Sequence, residues 1–340
     1  MDREIIASLP KIELHLHLDC SLSFEVAKQL RPGLSEMEYR RDFIAPEKCK
    51  DLADCLKRTS NVKALMQTEE ALRAVVKDLF VQLQRDHVIY AEIRFAPLNH
   101  RQGGLSPEEV VEIVAESVKE RTHSTGIEAG VILCTVRRYD EGSSLQTARL
   151  VERYLKQTNV VGFDIASDEA GYPIDCHIKA FEHAIERDIP RTAHAGEARG
   201  ADSVWETVQH FKPHRIGHGV RSIEDEQLIE FLVENDIHLE ICPTANIVTD
   251  VFDRYSDHPI DTLYNAGVSV GINSDARTLV NVSLTDEYMK LANVFDWKVD
   301  HFYNCNLNSL EHAFISEGEK EELRSILDSR YAPYRTQNAA

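Results

Sequence analysis

Ile12-Glu13-Leu14-His15-Leu16-His17-Leu18-Asp19 is a short apolar run that closes on polar chemistry, and the fold of the chain is read outward from it. A strand sends successive side chains to opposite faces, so His15 and His17 fall on the same side. Seven further runs share its character: Val88–Pro97, Ala129–Arg137, Val160–Ala166, Arg191–Ala195, Arg215–Gly219, Ile237–Pro243 and Val268–Asp275. Between them lie stretches with helical periodicity, such as Glu108–Thr122, Leu145–Lys156, Ile174–Arg187 and Ser222–Asn235. Apolar runs alternating with amphipathic segments are parallel βαβ units, and eight of them predict an α/β fold of the TIM (β/α)8 barrel type.

The stretch from Leu22 to Gln84 is too long for one crossover helix. It predicts several extra helices between the first two strands, roughly over 22–84, placed to cap the barrel mouth. The 65 residues after Asp275 read as mostly helical, ending in a Gln337-Asn338-Ala339-Ala340 tail expected to fray. Neither a low-complexity linker nor an internal repeat beyond the strand–helix alternation divides the chain, so residues 1–340 read as a single domain.

Composition narrows the partners. Hydrophobic residues make up 43% and charged residues 28%, enough apolar mass for a large core. The formal net charge of −19 is dispersed over helical stretches such as Ile223–Glu234, and such a field repels nucleic-acid backbones and anionic membranes. A small molecule in a pocket is the expected partner; the oligomeric state is left open. Seven cysteines without a CxxC pair read as reduced thiols, most of them core residues, and no run is long enough to span a membrane. A cytoplasmic location is the expectation.

Four runs carry chemistry, and all four fall where a predicted strand meets its following loop, the catalytic face of such a barrel. In the first, His15 and His17 stand side by side. Thr192-Ala193-His194-Ala195-Gly196-Glu197 offers a third imidazole and a carboxyl; its bland alternative is a core histidine before a helix-start glutamate. Arg215-Ile216-Gly217-His218-Gly219 sets a histidine between glycines, where backbone can approach a ligand closely. Gly271-Ile272-Asn273-Ser274-Asp275 ends the eighth strand in a carboxylate. Three imidazoles and one carboxylate make a nitrogen and oxygen set suited to zinc with a position left for water.

With these motifs in order, and with Gly162-Phe163-Asp164-Ile165-Ala166 and Glu240-Ile241-Cys242-Pro243-Thr244, the chain resembles the adenosine deaminase family of the amidohydrolase superfamily over nearly its whole length. The resemblance implies that His15, His17, His194 and Asp275 hold one zinc ion per chain and that Glu197 protonates the purine ring. It implies that His218 orients the nucleophile or relays its proton, and that Asp19 meets a ribose hydroxyl. The implied reaction is hydrolytic deamination of adenosine or a related aminopurine nucleoside, releasing ammonia and an inosine-type product. A 5′-modified adenosine such as aminodeoxyfutalosine, adenine, or another aminated heterocycle are the alternative substrates.

Three positions depart from the family pattern. Cys20 stands where a glycine usually follows the aspartate, Ser167 where a glycine precedes Asp168-Glu169, and Ala276 where a second aspartate follows Asp275. Ser167 keeps a backbone amide for purine N3, but Ala276 has no carboxyl for N7. Arg277, beside that gap, either meets an acidic or carbonyl-bearing group of a ligand or points into the barrel wall. Arg94 either pairs with a barrel carboxylate or touches substrate. His238-Leu239-Glu240 matches the H-x-E of the other zinc deaminases but lacks their P-C-x-x-C, so a structural role is expected. A binuclear amidohydrolase would need a lysine ending the fourth strand, which Val160–Ala166 lacks; a non-catalytic nucleoside binder would have no need of the full metal set and Glu197.

Overall fold

In the computed structural model, which describes residues 1–335, the alternation written into these runs becomes two faces of one sheet surface. β1 (Lys11–His17), β2 (Val88–Phe95), β3 (Glu128–Val136) and β4 (Val160–Ala166) form a parallel four-stranded sheet. β5 (Thr192–Ala195), β6 (Arg215–His218), β7 (His238–Ile241) and β8 (Val270–Ile272) form a second, also in chain order. Leu14 and Leu16 of β1, Ile93 and Phe95 of β2 and Leu239 and Ile241 of β7 belong to the main apolar core. Their alternate neighbours, Glu13 and His15, Glu92 and Arg94, and His238 and Glu240, form a polar row on the other face.

Two seams join the sheets. Between β4 and β5, Phe163 bridges Arg191, and its N–H donates to the Pro190 carbonyl at 2.9 Å. Between β8 and β1, the His17 N–H donates to the Asp275 carbonyl at 2.9 Å and the Asp275 N–H to the His15 carbonyl at 3.0 Å. Further along this seam a side chain replaces the ladder: Asn273 Oδ1 accepts from the backbone N–H groups of Leu14 at 2.8 Å and His15 at 2.9 Å. A consecutive strand order joined at both seams is that of the eight-stranded barrel.

The polar row meets itself across the barrel. Arg94 lies 2.9 Å from Asp164 Oδ2 and 2.6 Å from Glu240 Oε2, and Arg215 pairs with Glu92 and, at 2.7 Å, with Glu240 Oε1. All five side chains are fully buried. Removing one member of such a pair costs roughly 3–5 kcal/mol, because the other is left charged and alone. Arg94 therefore belongs to the barrel's interior network, the first of its two expected roles.

Five helices connect β1 to β2: Phe24–Leu30, Glu36–Phe43, Leu52–Leu56, Thr59–Leu65 and Glu69–Arg85. Ser23, Ser35, Asp51 and Thr68 cap four of them through side-chain oxygens, which makes such short helices tenable. The last packs on Pro107–Thr125 and β2. Three helices, Leu284–Phe295, Val299–Glu311 and Glu317–Tyr331, follow β8 as predicted. The tail expected to fray, Gln337–Ala340, lies outside the described residues. No helix among the described residues is long and apolar enough to cross a membrane.

Candidate active site

His17 ends β1, Asp19 and Cys20 sit in the 3-10 turn after it, Ser167 follows β4, His194 lies in β5, His218 ends β6, and Asp275 and Ala276 follow β8. Together with Glu197 these side chains line one cavity of about 800 Å³, its open mouth included. The cap supplies the opposite wall through Leu52, Cys55, Leu56, Thr59 and Lys63. His15 is fully buried just beneath the floor. Glu197 is not at a helix start: the next helix begins at Ala201, and Glu197 occupies the bend before it.

The imidazoles are held by their far nitrogens. His15 Nδ1 lies 2.8 Å from Glu240 Oε2, and His194 Nδ1 lies 3.1 Å from Asp164 Oδ2. A carboxylate on one ring nitrogen keeps the proton there and turns the lone pair of the other outward. His15 Nε2 is buried with no hydrogen-bond partner and lies 3.5 Å from Asp275 Oδ1. His17 Nε2 lies 3.3 Å from the same oxygen and 3.1 Å from His194 Nε2. The outward nitrogens of His15 and His194 and the Asp275 carboxylate thus converge on His17 Nε2, an arrangement that fits a cation. His15, His17 and Asp275 form one group able to hold a metal ion, and His15, His194 and His218 another, with ligand atoms within 4.8 Å of each other. Gly217 makes room for this: a Cβ there would stand 2.8 Å from His15 Cε1 and 3.3 Å from His194 Cα.

Glu197 rests on a second carboxylate. Glu169, itself buried, accepts backbone N–H groups from Gly196 at 2.8 Å, Glu197 at 3.0 Å, Ala198 at 2.7 Å and Arg199 at 2.9 Å, and the Ser203 hydroxyl at 2.6 Å. One anion gathers the bend that presents Glu197. Burial, reinforced by the charges of Asp275 and Glu169, pushes the Glu197 carboxyl well above the usual carboxylate range, which favours its protonated form. His218 Nε2 lies 3.7 Å from Glu197 Oε2.

Arg277 does not reach the cavity. Its guanidinium is 2.7 Å from Glu13 Oε2 and 2.6 Å from Asp86 Oδ2, so it takes the barrel-wall role and leaves the gap at Ala276 unfilled. His238 is structural as expected, with Nδ1 2.9 Å from Ser269 Oγ and its ring stacked on His312.

The sequence model of the adenosine deaminase family matches residues 10–330. The chain belongs to that family. An adenosine deaminase of Clostridium acetobutylicum is 32% identical over 333 residues, 96% of this chain and 99% of that protein, and one of Haemophilus ducreyi is 35% identical over 337 residues, 96% and 98%. Among solved structures, an adenine deaminase of Arthrobacter aurescens matches with a TM-score of 0.86 at 26% identity, covering 94% of this chain and 98% of that one. A zinc-bound amidohydrolase of Burkholderia ambifaria, at 19% identity and a TM-score of 0.88 over 98% and 93% of the two chains, bears on the fold. This deaminase is accordingly a hydrolase of C–N bonds.

The family glycine replaced by Ser167 now has a physical meaning. Ser167 sits at φ +88, where a side chain crowds its own backbone, and His218 and Asp275 share the left-handed region at +61 and +60. Ser167→Gly should stabilise the deaminase by about 1 kcal/mol, since relief of strain outweighs the added freedom of the unfolded chain. Urea unfolding measures it; a destabilised variant would mean that the serine side chain contributes more than its strain costs.

Proposed function

We propose that the protein hydrolyses the exocyclic amino group from an aminopurine nucleoside or nucleotide, using one zinc ion held by His15, His17, His194 and Asp275. The convergence of three imidazole nitrogens and a carboxylate beside a buried Glu197, whose carboxyl is pushed well above its usual range, carries this reading. When bound, zinc supplies the Lewis acidity that makes water a competent nucleophile near neutral pH.

The chain's own residues do the rest. Glu197 donates its proton to ring nitrogen N1 as negative charge builds there during attack at C6. His218 orients the incoming oxygen from the side that faces Glu197. A C–O bond forms at C6 and the C–N bond breaks; of the water's two protons one goes to the amine, which departs as ammonia, and the other returns to Glu197, leaving a carbonyl at C6 and the donated proton on N1. Asp19 accepts from a ribose hydroxyl, and the Ser167 amide donates to N3. Metal analysis combined with ammonia release from a panel of adenine, adenosine, deoxyadenosine and their 5′-phosphates tests the reading; a zinc-loaded protein that releases ammonia from none of them would overturn it.

Within this reading, two residues favour a substrate with an anionic 5′ group. Ala276 offers N7 nothing, a loss of roughly 0.5–1.5 kcal/mol in base recognition. Lys63, half-buried in the cap wall, is the cationic side chain lining the cavity, and it forms no ion pair among the described residues. Adenosine 5′-phosphate should therefore exceed adenosine in kcat/KM. Lys63→Ala should cost the phosphate about tenfold while leaving adenosine nearly unchanged, and Ala276→Asp should improve adenosine by up to about tenfold. Equal losses for both substrates in Lys63→Ala would remove the lysine from this role.

A further inference from the structure

Behind His218 runs a chain of hydrogen bonds whose proton positions can be assigned from its far end, where only one choice exists. The Ile260 backbone N–H donates to His258 Nδ1 at 3.2 Å, so that nitrogen carries no proton. His258 is buried, no carboxylate among the described residues pairs with it, and burial pushes it down to about 3. Its ring is neutral and its proton sits on Nε2. That nitrogen lies 3.1 Å from Asn246 Oδ1, which accepts. The amide is thereby oriented with its nitrogen toward His218, 3.2 Å from Nδ1. An amide NH2 has only protons to offer, so His218 Nδ1 must accept, and the proton of the neutral ring is left on Nε2. Nε2 is the atom on the Glu197 side, and His218 lines the cavity.

From this chain we infer that Asn246 and His258 are positioning residues that fix His218 in its Nε2–H tautomer, presenting a hydrogen-bond donor to the cavity. The inference rests on the proposed function, and it decides between the two roles open to His218: a ring already protonated on its cavity side orients the nucleophile and does not take the first proton from it. It also explains an amide at 246. A carboxylate there would accept from Nδ1, draw the proton to the rear nitrogen and turn a lone pair toward the reacting atoms.

Zinc-loaded protein labelled with 15N-histidine tests this directly, because long-range proton–nitrogen correlations distinguish the two tautomers, and His218→Gln assigns the signal. Wild type should carry the His218 proton on Nε2. Asn246→Asp should move it to Nδ1 and lower kcat roughly 10²–10⁴-fold, with KM and zinc content little changed, as other wrong-tautomer substitutions do. His258→Gln, which keeps an N–H donor for Asn246, should retain the wild-type tautomer and kcat within a few-fold. His258→Ala should populate both tautomers and lose about tenfold. A wild-type His218 protonated on Nδ1, an unchanged tautomer in Asn246→Asp, or losses in both His258 variants that only track zinc content and thermal midpoint would overturn the inference. Should Asn246→Asp not fold, the two His258 variants decide alone. A wild type that released no ammonia while the tautomers shifted as expected would count against the proposed function and leave the positioning chain standing.

Discussion

Glu197→Gln should keep its metal and lose roughly 10²–10⁴-fold in turnover, with KM changed far less. The amide fills the same space, and the Glu169 carboxylate would still gather the bend through the backbone of Gly196, Glu197, Ala198 and Arg199. What the amide lacks is a proton it can release. Burial pushes the Glu197 carboxyl well above the usual carboxylate range and so favours the neutral form that a glutamine imitates, and the substitution removes proton transfer with little electrostatic disturbance of the ground state. A purely structural glutamate would tolerate that exchange. Steady-state ammonia release, normalised to zinc content, is the measurement. A variant holding more than a tenth of wild-type turnover would show that another group supplies the proton.

A comparably large loss is expected at His17, for a different reason. His17→Ala should lose metal and activity together, whereas the wild type should hold about one zinc per chain. His17 Nε2 stands between His194 Nε2 at 3.1 Å and Asp275 Oδ1 at 3.3 Å, so its removal takes away the nitrogen that faces both. The remaining donors belong to a carboxylate-braced frame that stays in place: Glu240 on His15 and Asp164 on His194. Affinity should fall because a ligand is missing and not because the barrel has loosened. Elemental analysis after dialysis, paired with a thermal midpoint measured without metal, separates the two causes. Full activity in a demonstrably metal-free wild type would remove zinc from the reading altogether.

The sequence by itself determined what local geometry carries. A two-residue period sets His15 and His17 on one face and alternates Glu92 and Arg94 with Ile93 and Phe95, because a strand has only two faces. The strand ends, and with them the positions of His194, Glu197, His218 and Asp275 on one rim, were legible from apolar runs breaking into Gly, Ser and Asp. The tertiary structure alone decided which inward-facing residues meet. Glu240 reaches His15 from 225 residues away, Arg277 reaches Glu13 from 264, and Asn246 joins His258 to His218. Periodicity ranks residues by face, but a partner across a closed barrel is set by register and strand tilt, which no single strand encodes. For that reason Asp164 was visible only as part of a motif and Glu169 only as part of a pattern. Arg277 could be placed only once the β8 to β1 seam had closed, since the two carboxylates that claim it, Glu13 and Asp86, come from the first strand and from the end of the helix leading to the second.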